Sequence, residues 1–200
     1  RSLIVTGVQT CALPILFRRV REAATSVPRR DREDGHSYVI GCDWGKSNDY
    51  TVFAVVDVTD KRVVELDRSN QVDYAVQRGR LVSLCERWKP GAVIAESNSM
   101  GTPIIEALAR DRIPVRPFHT SNASKAEIID TLALAFERDD IRILNHPMLI
   151  GELQAYEATR TPSGLTRYGA PDGMHDDCVM ALALAWSGIG RANSAVGAFG

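Results

Sequence analysis

Residues 38–58 read YVIGCDWGKSNDYTVFAVVDV, and this stretch decides the fold. Tyr38 to Asp43 is a short apolar run that ends in an acid, and Tyr50 to Val58 is β-branched and aromatic. Trp44 to Asp49 between them, with its Gly, Ser and Asn, reads as a turn. Arg62 to Leu66 continues the pattern, so three antiparallel strands open the domain. Downstream the period changes. Val72 to Trp88 reads as a helix with Val72, Ala75, Val76, Gly79, Val82 and Cys85 on one side, and Pro90-Gly91 break it. Ala92 to Glu96 (AVIAE) is a buried strand, again ending in an acid. A helix near Pro103 to Arg110, a strand near Pro114 to Phe118 and an amphipathic helix over Ser124 to Arg138 follow, the last carrying Ile128, Ile129, Leu132, Ala135 and Phe136 at helical spacing. Ile141 to Leu144 reads as a short edge strand, Pro147 to Thr159 as a helix, and the Gly/Pro-rich Thr161 to Asp172 as a protruding hairpin or loop. Asp176 to Trp186 opens with acids and turns almost wholly apolar, as a buried helix does. The order β-β-β-α-β-α-β-α predicts an α/β domain: a mixed sheet, antiparallel in its first three strands and parallel after them, with helices on both faces.

Working outward, residues 16–36 are rich in Arg and hold few large apolar groups after Val20, which reads as a flexible basic linker. The domain spans 37–190, and 191–200 reads as a flexible tail. Lys and Arg number 24 against 25 Asp and Glu, so a grip on nucleic acid must come from local patches rather than net charge. With 44% hydrophobic residues the chain can bury a full core. Cys11, Cys42, Cys85 and Cys178 form no C-x-x-C pair, which argues against a disulfide framework or zinc knuckle and for reduced thiols. No apolar run is long enough to cross a bilayer.

The chemistry rests on acids. Asp43 ends the first strand, Glu96 ends the strand after the first helix, and Asp176 and Asp177 start the last helix. In an open sheet with parallel strands, strand ends and helix starts meet on one rim. Carboxylates gathered there repel one another unless cations neutralise them, and hard oxygen ligands suit Mg²⁺ or Mn²⁺. Two such ions, roughly 3.5–4 Å apart, can activate a water and stabilise a leaving oxygen in phosphodiester cleavage. Each acid also has a plain structural reading. Asp43 can initiate the Asp-Trp-Gly turn, Glu96 can be a solvated rim residue, and Asp176 or Asp177 can cap a helix. Their shared placement makes the case. His175 is a rim residue able to hold a water or phosphate. Lys46, Lys125, Arg160 and Arg167 are candidate phosphate contacts, Lys46 and Lys125 foremost because both fall near the acidic rim. No G-x-x-x-x-G-K-[ST] loop is present.

Three ordered motifs carry a family resemblance. Gly41-Cys42-Asp43-Trp44-Gly45-Lys46-Ser47 with Asp49-Tyr50-Thr51, Ala95-Glu96-Ser97-Asn98-Ser99-Met100-Gly101, and Gly173-Met174-His175-Asp176-Asp177 leading into Ala181 to Ala185 resemble the acidic motifs of the C-terminal nuclease domain of the tailed-phage terminase large subunit. Ser124-Lys125 and Gly151-Glu152-Leu153 are similar too, so the resemblance covers roughly Ser37 to Trp186. It implies a ribonuclease H-like fold and an endonuclease that cuts concatemeric double-stranded viral DNA during packaging, with two Mg²⁺ or Mn²⁺ ions on Asp43, Glu96 and one or both of Asp176 and Asp177, Asp177 preferred. It further implies work in the host cytoplasm, transiently at the procapsid portal, with portal and small terminase subunit as partners and no membrane. The family's full-length proteins carry an N-terminal packaging ATPase, absent from this sequence. Residues 1–15 resemble one translated frame of a sequencing-library adapter and are set aside from the fold reading.

Three other readings compete. A junction resolvase or transposase shares the metal chemistry but cuts a different DNA structure. A sugar-kinase/actin-like ATPase fragment shares the Asp43-Trp44-Gly45 turn, yet needs two such domains around a nucleotide. A docking domain without catalysis does not need the full set of acids.

Overall fold

Side chains along β1 (Tyr38–Asp43) alternate between two cores, and that alternation organises the molecule. Tyr38, Ile40 and Cys42 join one core, and Val39 joins the other. The same split runs through β2 (Thr51–Asp57), where Phe53 and Val55 face the first core and Val52, Ala54 and Val56 the second. β4 (Ala92–Glu96) repeats it, with Val93 and Ala95 on one side and Ala92 and Ile94 on the other. The computed structural model describes residues 16–45, 49–98, 101–161 and 164–196, with backbone alone for 101–104 and 190–196.

With β3 (Arg62–Ser69) and β5 (Val115–Phe118), these strands form one sheet in the order β3-β2-β1-β4-β5. β1, β2 and β3 pair antiparallel, while β1 with β4 and β4 with β5 pair parallel. This is the mixed sheet expected from the sequence. α2 (Tyr74–Trp88) supplies Leu81, Leu84 and Trp88 to one core, joined by Leu108 of α3 (Gly101–Arg110). The opposite face is covered by α4 (Asn122–Glu137), α5 (Pro147–Ala155) and α6 (Asp177–Val196). α6 is the central one, packing across β1, β2 and β4. Buried on both faces, β2 reads as a continuous apolar run because neither side meets water. No helix among the described residues is long and apolar enough to cross a membrane.

Four local expectations change. The helix beginning at Pro147 ends at Ala155, because Tyr156 turns to extended backbone (φ −66°, ψ 129°) and buries its ring edge-on to Phe17. Glu157–Arg160 (β6) then pairs with Thr166–Gly169 (β7), so the hairpin foreseen at 161–172 starts earlier. Ile141 to Leu144 makes isolated bridges instead of an edge strand. Its backbone is shared between two neighbours: Arg142 exchanges bonds with Lys61 and Val63, and Ile143 with Ala23 and Ser26. At the C-terminus α6 continues to Val196, into residues read as a tail.

Residues 16–36, read from composition as a linker, are held to the domain. Phe17, Val20 and Ala23 are buried, the last two on the short helix α1 (Val20–Ala23). Asp57 fastens the other end. Its fully buried carboxylate accepts from Arg29 Nη1 (2.7 Å), His36 Nδ1 (2.7 Å) and the backbone N–H groups of Thr59 and Asp60. Arg29 keeps Asp60 and Glu33 when Asp57 is lost, but the other donors lose their shared acceptor, and an unsatisfied buried donor costs about 1–3 kcal/mol. Asp57→Ala is therefore expected to lower stability by about 1–3 kcal/mol in urea titrations. The hydrogen bond to Asp57 raises the His36 pKa above its ordinary value. A raised histidine contributes fully below its unfolded pKa, and the contribution fades as pH rises through the folded value. The unfolding midpoint of wild type should thus fall as pH rises above the ordinary histidine value, and His36→Gln should flatten that slope.

Candidate metal centre

The alternation that divides the cores also aims the acids. Asp43 lies two residues beyond Gly41 on β1, and Glu96 two beyond Ile94 on β4, so both carboxylates belong to the α6 side of the sheet. β1 and β4 are parallel neighbours with Cys42 opposite Ala95, which sets Asp43 and Glu96 side by side at the strand ends. α6 brings the third group. It runs antiparallel to β1, with Ala181 and Ala185 over Gly41 and Gly188 over Val39, so its N-terminus arrives at the rim where the strands end. Asp43, Glu96, Asp176 and Asp177 all line one cavity of about 320 Å³, with Trp44, Asn98, Thr120, Lys125 and His175 among its walls.

The electrostatics are those of crowded carboxylates. Burial first, then Glu96, Asp177 and Asp176, push the Asp43 carboxyl well above the usual range, and Lys125 opposes them. Asp177 is 8% exposed and is pushed up to about 6, by burial and then by Glu152, against a backbone hydrogen bond of Tyr50 and the charge of His175. Its Oδ2 is buried without a hydrogen-bond partner. His175 Nδ1 stands 3.5 Å from that oxygen, as a neighbour at ion-pair range. Asp176 differs: Lys125 Nζ donates to its Oδ2 at 3.0 Å. The adjacent acids therefore hold unlike positions, one partly neutralised by an ammonium and one buried with an oxygen to spare.

This donor set fits hard divalent cations. An unpaired buried carboxylate oxygen is costly, and a cation is its natural complement. No three rim ligand atoms all lie within 4.8 Å of one another; among the described residues Glu33, His36 and Asp60 do. Arg29 already serves that trio, with Nε 3.3 Å from Glu33 and Nη2 3.0 Å from Asp60, so it is an ion-pair cluster and not a metal site. Ions held at the rim would keep several of their waters, as Mg²⁺ does.

The candidate basic residues separate. Lys125 is inside the cavity wall, placed by the capping box of Ser121 and Ser124 that starts α4. Lys46 lies outside the described residues; Gly45 before it donates its N–H to Thr51 Oγ1 at 2.9 Å. Arg160 and Arg167 sit on the β6–β7 hairpin. Arg160 pairs with Thr166 and Arg167 with Thr159, so strand alternation turns the two arginines to opposite faces. The hairpin still reaches the rim at its base, where a Cβ on Gly169 would lie 3.7 Å from Asp176 Oδ2.

Sequence reading passed over Glu152, Arg68, Asn98 and Thr120 as site residues. Asn98 bridges the ends of β4 and β5 by giving its side-chain N–H to the Thr120 carbonyl (2.6 Å) and accepting the Thr120 N–H (3.0 Å). A signal for Glu152 existed: it is the one charged residue in the helix PMLIGELQA, and it is 4% exposed.

Comparison with known proteins gives a concordant result. The family model of the terminase RNaseH-like domain matches residues 40–187. The large terminase subunit of Thermus virus P23-45 is 35% identical over 158 residues, covering 78% of this chain and 33% of that protein. The chain thus spans about a third of the length of the curated relatives it matches. The large terminase nuclease from thermophilic phage G20c with bound magnesium superposes with a TM-score of 0.79 at 32% identity, covering 86% of this chain and 96% of that one. The same nuclease has been solved with cobalt and with zinc, at TM-scores of 0.78 and 0.70. The large terminase nuclease domain of Thermus phage P74-26 matches with a TM-score of 0.76 at 31% identity, over 86% of this chain and 94% of that one.

Proposed function

This chain belongs to the terminase RNaseH-like domain family, and from that premise we propose that it is an endonuclease that cuts double-stranded viral DNA during genome packaging, with two Mg²⁺ or Mn²⁺ ions. The observation that carries this reading is the convergence of Asp43, Glu96, Asp176 and Asp177 on one cavity from three separate elements. The metal-bound phage nucleases, with magnesium, cobalt and zinc, support dependence on a divalent cation.

In this reading Asp43, Glu96 and Asp177 hold the ions, and the unpaired Oδ2 of Asp177 favours it over Asp176 as the principal ligand of the pair. Divalent ions supply charge neutralisation at the scissile phosphate and a nucleophile at neutral pH. The remaining work falls to the chain. Lys125 lowers the net negative charge of the rim through Asp176, and its ammonium stands ready for a phosphate oxygen. His175 lies beside Asp177 and can orient a water. Lys46, Arg160 and Arg167 bind the DNA backbone, which carries no sequence information and suits cutting with little sequence preference. In a full-length terminase large subunit, DNA would be presented by the packaging motor, with the portal and small terminase subunit as partners.

The test is cleavage of supercoiled plasmid and of a four-way junction by the purified chain. Nicking and linearisation of plasmid with Mn²⁺ or Mg²⁺, abolished by EDTA, is the expected result. A strong preference for the junction over linear duplex would overturn the packaging role in favour of a resolvase.

A further inference from the structure

We propose that Glu152 and Arg68 are positioning residues for the metal ligand Asp177, an inference that rests on the metal-centre reading above. Neither lines the cavity, yet Glu152 is buried, Arg68 is half-buried, and both touch what holds the cavity together. Glu152 Oε2 accepts the backbone N–H of Cys178 at 2.7 Å. That N–H is one of the four at the start of α6 with no partner inside the helix, so Glu152 caps the turn on which Asp177 rides. The other carboxylate oxygen lies 3.6 Å from the Arg68 guanidinium, whose side chain is 14% exposed.

Arg68 extends the arrangement to the other side of Asp177. Its guanidinium carbon sits over the Tyr50 ring, 3.2 Å from the centroid, a cation–π contact. Tyr50 in turn meets the His175 ring edge-on at 5.0 Å, and its backbone favours the charged form of the Asp177 carboxyl. Asp177 is thereby approached from two directions, by the helix start that Glu152 holds and by the β2 entry that Arg68 clamps. Burying an anion beside a metal ligand already crowded by negative charge has a cost. A fixed geometry for Asp177 accounts for it better than stability alone, because an apolar residue would serve stability as well.

Positioning and bulk charge predict different outcomes. Removing the negative charge of Glu152 weakens cation binding on charge grounds whether the replacement is Ala or Gln. Positioning makes the two differ, because Gln keeps an acceptor for the Cys178 N–H. Removing the positive charge of Arg68 should tighten cation binding on charge grounds and loosen it if Arg68 positions Asp177. The experiment is titration of the full chain with Mn²⁺ alone, read by calorimetry and by the Mn²⁺ electron paramagnetic resonance signal, with melting temperature measured in parallel. Glu152→Ala should lower Mn²⁺ affinity about tenfold or more, the range typical of groups that orient metal ligands. Glu152→Gln should recover most of that loss, and Arg68→Met should weaken binding. Should Glu152→Ala fail to fold, Arg68→Met decides the matter by its sign. Equal losses for Ala and Gln, or tighter binding by Arg68→Met, overturn the proposal in favour of charge. A lower melting temperature with unchanged affinity in all three overturns it in favour of a purely structural role. Absence in wild type of any Mn²⁺ binding that Asp43→Asn removes overturns the metal-centre reading itself, a separate result.

Discussion

Asp43→Asn and Glu96→Gln are each expected to reduce duplex cleavage by roughly a thousandfold, since charge stabilisation by a bound cation is worth several kcal/mol and each 1.36 kcal/mol is tenfold in rate. The same substitutions should leave the fold intact, and Asp43→Asn should raise the melting temperature of the metal-free chain. Asp43 is held at a half-buried position beside Glu96, Asp177 and Asp176, where its charge is unfavourable. An amide of the same shape removes that repulsion. Addition of Mn²⁺ should then stabilise wild type, through binding to the folded state, and leave Asp43→Asn nearly unmoved. Lost cleavage accompanied by gained metal-free stability separates a functional carboxylate from one that merely starts a turn, since a turn-forming Asp lost to Asn costs little of either. Full activity in both variants would remove the assigned site.

The parts of this site visible in the sequence were those that a period of two makes visible. β1 and β4 each end an apolar run with an acid, and a parallel pair places those acids together once the strand order is known. The start of α6 was legible because an acidic pair precedes an uninterrupted apolar run. What was not legible depends on partners far apart in the chain. The end of α5 at Ala155 is set by Tyr156 packing on Phe17, a contact across the fold that no local pattern encodes. Phe17 and Val20 sit in an Arg-rich stretch whose composition masks two core residues. Glu152 was noticeable as a charge in an apolar helix, but its meaning appears only with Arg68 and the Cys178 N–H beside it. Asp176 and Asp177 are equivalent in sequence and unlike in space, because Lys125 reaches one and burial claims the other.

Gly41→Ala is expected to damage both stability and the metal centre, though it alters no charged group. Gly41 lies on β1 beneath α6, and a Cβ there would stand 1.9 Å from the Ala181 carbonyl oxygen and 2.4 Å from the Ala185 nitrogen. Both are backbone atoms of a helix packed across three strands, so no side chain can swing away to make room. The helix as a whole must lift. Overpacking of a filled core costs about 1–3 kcal/mol and sometimes more, and contact with rigid backbone places this case at or above the upper end. Because Asp177 rides on the displaced helix while Asp43 stays on β1, the proposed ligands would separate, and Mn²⁺ affinity and cleavage should both fall. Two other glycines grade the argument. At Gly188 a Cβ would meet the side chains of Val39 (2.8 Å) and Ile94 (3.0 Å), which have some freedom to shift, so Gly188→Ala should be milder. At Gly91 the nearest atom is the Tyr38 carbonyl oxygen at 4.0 Å, so Gly91→Ala should change stability by no more than about 0.5 kcal/mol. Urea midpoints and Mn²⁺ titrations across the three variants check the order Gly41, Gly188, Gly91. A Gly41→Ala protein as stable and as metal-competent as wild type would mean that α6 does not rest on β1 as closely as the site requires.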